Sequence, residues 1–265
     1  MKKLLTILIF IVAVSQVLLA QGEIDEQNRI FYRNERTVGI NLNTNGFGIS
    51  YREGKRLDFL NKRIIDIDFN IIKHPKEVKL SNPWVQSGGS FVFGKQNELY
   101  SLRGAIGHQH EIFRKMDLGG VAVKYFYSGG ASLALAKPIY YNILYYTPAS
   151  TYQIKQEKFS EDIVNPTYIY NKASYFKGFS EIKVYPGLFA KAGFNFEYSK
   201  EDKIIHSLEL GTAFEAYTNK LPIMATDDNQ ALFLTLFVSY RVGIIIDPLN
   251  PDAKRMPTLF FRRKN

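Results

Sequence analysis

The chain alternates apolar and polar residues with a two-residue period, most plainly between Tyr185 and Gly243. In LFAKAGFNFEY, Leu188, Ala190, Ala192, Phe194, Phe196 and Tyr198 fall on one face, and Lys191, Asn195 and Glu197 on the other. That period sends successive side chains to opposite sides of a β-strand. After the turn SKEDK, Leu208, Leu210, Thr212, Phe214 and Ala216 face one way, and Ser207, Glu209, Gly211 and Glu215 the other. ALFLTLFVSYRVG repeats the pattern, with Leu232, Leu234, Leu236, Val238 and Tyr240 against Thr235, Ser239 and Arg241. Charges along one face make a poor soluble core. Runs of about 11 to 14 residues, apolar outward and polar inward, match the strands of a transmembrane β-barrel.

The same reading extends upstream. IIDIDFNII sets Ile65, Ile67, Phe69 and Ile71 against Asp66, Asp68 and Asn70. LYSLRGAIGHQHEIF sets Leu102, Ile106 and Ile112 against Arg103, Gln109 and Glu111. GVAVKYFYSGGASLAL opposes Val121, Val123, Tyr125 and Tyr127 to Ala122, Lys124 and Ser128. Its glycine pair, Gly129 and Gly130, is expected to kink the strand or end its regular pairing. Thr44-Asn45-Gly46 marks a tight hairpin, because Asn-Gly tolerates positive φ. A single strand over 37–53 with a glycine bulge is the competing reading, and it leaves an odd strand number.

Splitting the hairpin gives eight strands, near 32–43, 46–54, 64–72, 99–113, 119–135, 185–198, 204–217 and 231–242. The expected fold is all-β: a small antiparallel transmembrane β-barrel with long extracellular loops. With both termini periplasmic, the connections 55–63, 114–118 and 199–203 fall inside, and the long ones, 73–98 and 136–184, fall outside. The first long loop carries the sole tryptophan, Trp84, and has room for short strands of its own. The second is tyrosine-rich and interrupted by Pro138, Pro148 and Pro166.

The N-terminus supplies an address. MKKLLTILIFIVAVSQVLLAQ has two lysines, an apolar run and small or apolar residues before Gln21, so residues 1–20 read as a secretory signal peptide cleaved after Ala20. Residues 21–36 form a periplasmic lead and the start of the first strand, 37–243 the barrel and 244–265 a periplasmic tail. The chain has no cysteine, which excludes a disulfide framework and lipoprotein acylation. No segment after the signal approaches the roughly 18 apolar residues of a membrane helix. Its 17 tyrosines and 20 phenylalanines suit interfacial girdles. The formal charge of +9 points, in an exported protein, to outer-membrane lipid and lipopolysaccharide phosphates as partners and not to nucleic acid.

Candidate chemistry is sparse. The polar faces converge on a lumen set of Asp66, Asp68, Glu111, Glu197, Glu209 and Glu215 against Arg103, Lys124, Lys191 and Arg241. An eight-stranded barrel fills its interior with side chains, so these charges are expected to pair as a structural plug. A proton or ion path is the sharper alternative. His108 and His110 share an outward face near a membrane edge and lack a third ligand. Ser207 points away from its neighbour His206, so the two form no dyad on one strand. No phosphate loop, zinc spacing or nucleophile elbow occurs, and neither cofactor nor metal is expected.

TNGFGISYREGKR, KHPKE, FGKQN, YFYSGGASLALAKP, KGFSEIKVYPGLFAKAGFNFEYS and LFLTLFVSYRVG together resemble a group of Bacteroidota outer-membrane β-barrel proteins without an assigned activity. The likeness runs over about residues 37–243 and carries no catalytic residues. It implies a non-enzymatic accessory subunit of an outer-membrane protein assembly or secretion complex, bound to other outer-membrane or periplasmic proteins. The candidate contacts are Trp84, Tyr140, Tyr141, Tyr145 and Tyr146 in the loops and Leu259, Phe260 and Phe261 in the tail. The alternatives are an outer-leaflet lipid-modifying enzyme and a narrow pore.

Overall fold

A computed structural model describes residues 34–85, 89–115, 120–146, 152–160, 163, 165–198 and 204–246. The expected signal peptide over 1–20, most of the expected lead, and residues 247–265 of the expected tail, with Leu259, Phe260 and Phe261, lie outside the described residues. In chain order the strands are β1 (Asn34–Asn43), β2 (Gly46–Arg56), β3 (Asn61–Ile72), β4 (Lys79–Ser81), β5 (Ser90–Val92), β6 (Asn97–Phe113), β7 (Ala122–Pro138), β8 (Tyr140–Tyr146), β9 (Tyr152–Lys158), β10 (Ile169–Lys172), β11 (Lys183–Glu197), β12 (Ile204–Tyr217) and β13 (Leu232–Ile246). Eight of them close a barrel in the order β1-β13-β12-β11-β7-β6-β3-β2, each antiparallel to the next in sequence among the eight. Closure pairs Asn34 with Ile246 and removes every free edge from the wall.

Alternation sets the two surfaces. Outward-facing Ile40, Ile106, Leu188, Leu234 and Leu236 are more than half exposed, while their neighbours Asn41, Arg103, Lys191 and Thr235 are almost wholly enclosed. A soluble protein buries its leucines and solvates its charges. The reverse arrangement, on closed strands, defines a transmembrane β-barrel. Its aromatic rims are in place at the end with short turns, where Tyr198, His206 and Tyr240 stack at 6.1 and 6.3 Å and His110 leans on Tyr125 at 5.2 Å. The outward histidines therefore belong to a girdle.

Several boundaries differ from the sequence reading. The paired wall runs from Asn34, within the expected first strand, to Ile246, beyond the expected end at 242–243. The first turn is short, since β2 runs to Arg56 and β3 starts at Asn61, with the Asp58 carboxylate accepting from the Leu60 and Asn61 amides at 3.0 and 2.8 Å. Gly129 and Gly130 interrupt nothing: β7 runs through them, pairing Gly130 with Ala105 and Phe189. A Cβ on Gly130 would lie 2.0 Å from the Gly104 carbonyl oxygen, so glycine there serves close backbone approach within the wall. The one shift in register on this side lies between Glu111 and Phe113.

The long connections fold. β8, β9 and β10 form a three-stranded sheet in the order β10-β8-β9, and β4 pairs with β5. Phe91, Ile139, Tyr141, Ile143, Ile163 and Ile169 make a separate apolar core beneath them. A second cluster corks the loop end of the barrel, where Leu221, Ile223 and Met224 pack on Ile72, Leu99, Ala134, Ala136 and Tyr217. The Ile223 carbonyl accepts from the Gln96 and Asn97 amides at 2.9 and 3.3 Å, and Ala225 donates to Gly94 at 2.7 Å, tying the cork to the first long loop.

The outward surface gives a direct prediction. Leu210 is 41% exposed between Phe194 and Val238 on the neighbouring strands. Leu210→Arg should cost about 2–4 kcal/mol of folding stability in a bilayer, against the ~0.5 kcal/mol or less of a surface change in water. Denaturant titration of the protein in lipid vesicles measures it, and a near-neutral result would contradict a lipid-facing Leu210.

Candidate functional site

Two features concentrate polar chemistry or exposed recognition groups: the lumen and the sheet at the loop end. The lumen is organised around Arg52. Alternation on β2 carries this side chain inward, and its guanidinium donates to Asp66 through Nε and Nη2 at 2.5 and 3.0 Å and to Glu209 through Nη1 at 2.5 Å. A planar fork between two carboxylates suits arginine and no other side chain. Arg241 adds a second cation 3.6 Å from Glu209 and donates to Thr37 and Ser50.

Above and below, further pairs form a ladder. Toward the loops, Arg103 grips Glu215 at 2.9 and 2.7 Å, and Glu215 also accepts from Ser101 and the Tyr217 hydroxyl. Lys191 reaches Asp68 at 3.3 Å. Toward the turns, Lys62 pairs with Glu35 and Lys124 with Glu197, and Glu111 meets Arg56 and Arg114 at 3.4 and 3.2 Å. The ten lumen residues read from sequence all lie in this ladder: eight pair with one another, while Asp66 takes Arg52 and Glu111 takes Arg56 and Arg114.

Aromatic rings insulate the ladder at mid-height. Phe126, Phe189 and Phe237 cluster with Ile64, Ala105 and Ala213 inside the barrel. The Arg52 guanidinium lies 4.5 Å from the Phe126 centroid, Arg103 5.1 Å from Phe189 and the Lys191 ammonium 4.7 Å from Phe237. Each cation is held by carboxylates on one side and a ring face on another. A cavity of about 10 Å³ remains between Arg52, Lys124 and Arg241, room for about one water molecule.

Sequence reasoning missed Arg52, Glu35, Lys62 and Arg56. YREGKR puts polar residues at consecutive positions, so β2 offers no alternation from which to choose the inward face. Glu53 shows the difficulty: it is buried on the opposite face from Arg52, bound by the Tyr51 hydroxyl at 2.8 Å and by Arg36 at 3.4 Å. Lys62 stood in an expected turn that β3 occupies. The lumen phenylalanines carried no signal, because a ring reads as lipid-facing wherever it falls.

The loop-end sheet treats the aromatic candidates differently. Trp84 is 83% exposed. Tyr140 donates to Glu181 at 2.5 Å, and Lys158 pairs with the same carboxylate. The Lys158 ammonium and the Tyr140 hydroxyl hold Glu181 below the usual carboxylate range. Tyr145 is exposed and donates to Glu157 at 2.7 Å. Tyr146 closes β8 opposite Tyr152. Tyr141 corrects the sequence reading, for it is buried and its hydroxyl bridges the Val92 and Lys95 carbonyls at 2.9 and 2.8 Å. Burial pushes its phenol pKa up, and the residue staples the two long loops and offers no surface to a partner. β9 lies at the sheet's edge with all seven residues exposed.

No family profile matches the chain, and no curated protein is similar to it in sequence. Among solved structures, the chain is similar to Neisserial surface protein A, at 10% identity and a TM-score of 0.35 over 80% of this chain and 96% of that one. The attachment invasion locus protein Ail of Yersinia pestis, in complex with the heparin analogue sucrose octasulfate, matches at 6% identity and 0.38 over 81% and 99%. The N-terminal β-barrel domain of Pseudomonas aeruginosa OprF matches at 7% and 0.33 over 81% and 97%. The barrel assignment rests on its own closed strand pairing.

Two substitutions test the site. Arg52→Leu strips Asp66 of its cation and leaves Glu209 only the more distant Arg241, and should cost about 3–5 kcal/mol in equilibrium unfolding; a loss near zero would show that the fork does not hold the wall together. Tyr141→Phe removes the hydroxyl proton shared between the Val92 and Lys95 carbonyls and should cost about 1–3 kcal/mol. Hydrogen exchange should then rise in 90–96 and 139–146 while the barrel strands keep their protection, and an unchanged pattern would contradict the staple.

Proposed function

We propose that this protein is a non-enzymatic outer-membrane β-barrel that serves as an accessory, protein-binding subunit of an outer-membrane protein assembly or secretion complex. The observation that carries this reading is β9, a fully exposed strand whose outer edge pairs with nothing among the described residues. An edge presents a row of backbone donors and acceptors that an extended segment of another protein can complete. Lys155, Glu157 and Lys158 on β9 guard that edge against indiscriminate pairing. The export signal read from the N-terminus and the apolar wall support the outer membrane as its place, with the long loops outside. The filled lumen speaks against the narrow pore, and the resemblance of the sequence to Bacteroidota barrels supports a role beside larger envelope machinery.

Gentle solubilisation of native membranes, capture through a tag after Asn265 and mass spectrometry test it. The expected result is a stoichiometric set of envelope proteins, lost when proline replaces Ile154 or Lys155. Successive N–H groups point to opposite edges of a strand, so one of these prolines removes a donor from the free edge and the other from the pairing with β8. Recovery of the barrel alone with bound lipid would sink the reading and bring an outer-leaflet lipid-modifying enzyme forward.

A further inference from the structure

On the β6–β7 wall the girdle at the loop end is completed by a loop and not by a strand. Tyr100 faces outward on β6 and stacks on outward Phe69, with centroids 5.8 Å apart and planes 13° apart. Its hydroxyl lies 2.6 Å from that of Tyr175, a residue of the connection between β10 and β11. The loop therefore descends onto the outside of the barrel. Lys137, also outward, donates to the Tyr175 carbonyl at 2.7 Å, places its ammonium 3.7 Å from the Tyr175 ring centre and pairs with Glu98 at 3.0 Å. At Gly178, φ is +93°, and a Cβ would lie 2.5 Å from the Pro138 carbonyl oxygen, so glycine lets the turn press against the end of β7.

This fixed turn holds three aromatic rings together in the open. Tyr175, Phe176 and Phe179 lie 5.7 to 6.3 Å apart and are 46%, 79% and 45% exposed. Lys137 lies over the Tyr175 and Phe179 rings at 3.7 and 4.9 Å, yet Phe176 stays 79% exposed, and rings pinned in place with such open faces need an environment that accepts them. The patch is continuous, through Tyr100 and Phe69, with the lipid-facing wall. Aromatic rings beside lysines at that height match the headgroup boundary, where amphipathic rings partition.

We propose that residues 175–179 insert Phe176 and Phe179 into the membrane interface on the loop side, so that the β8–β9–β10 sheet rests on the leaflet at a fixed angle. The occupant of the patch is lipid, whatever protein the sheet binds.

Because Trp84 is the only tryptophan, a Trp84→Phe background gives a clean probe. Phe176→Trp, and separately Phe179→Trp, are reconstituted in phosphatidylcholine vesicles with and without bromine high on the acyl chains. Leu210→Trp reports the wall and Tyr152→Trp the far end of β9, and faster gel migration before heating verifies each folded barrel. The expected result is a blue-shifted, bromine-quenched emission at 176 and 179, as at 210, with no quenching at 152. Gly178→Ala should weaken the quenching at 176. Emission at 176 and 179 that ignores bromine, while position 210 is quenched, overturns the proposal and assigns the patch to a protein partner.

Discussion

The Arg52 guanidinium between Asp66 and Glu209 is the constraint on which the barrel depends. These three groups come from β2, β3 and β12, strands that are not all neighbours in the wall, so the fork ties opposite sides of the cylinder through its centre. In hydrocarbon the outside of the wall gains little from contact between strands. Specificity of register must then come from inside, where a slip of one residue would send Asp66 to lipid and Ile65 or Ile67 to the lumen. An error of that kind exposes charges in a medium that cannot solvate them. The ion-pair ladder acts as a register lock.

The same arrangement determines what the barrel can do. Paired charges, ring faces and an apolar cork at Leu221, Ile223 and Met224 fill the interior from turn end to loop end. The wall then supplies anchorage. What distinguishes this barrel is the material on its rim: a sheet with its own core, stapled by Tyr141 and tied to the cork through Gly94, Gln96 and Asn97. A filled cylinder gives that sheet a rigid base, and rigidity lowers the ordering cost of binding.

The wall was legible because its period is two and its penalty for error is large. Strand 204–217 is bounded correctly, since Leu208, Leu210 and Phe214 alternate with Ser207, Glu209, Gly211 and Glu215 and the charged run SKEDK precedes it. Legibility failed where chemistry overrode the period. Arg52 and Glu53 are adjacent and both buried, one in the lumen and one in a cluster with Tyr51 and Arg36, so no binary pattern could separate them. Gly129 and Gly130 look like a break in sequence and act as a place of close approach in three dimensions. The outer sheet was hidden for another reason. β8 reads YYNILYY and β9 YQIKQEK, short runs whose partners and core residues, such as Phe91, Ile163 and Ile169, lie in distant connections. Local periodicity cannot report a core assembled from separate loops.

A barrel whose interior is closed by paired charges, rings and an apolar cork can anchor the sheet on its rim and passes no ions. Single-channel recording in planar bilayers tests this most directly. The purified, folded protein should add no conductance above the lipid baseline at any applied voltage that the bilayer survives. Discrete, repeatable current steps would contradict it, because ions could then pass only if the charges around Arg52 lined a path and did not close one.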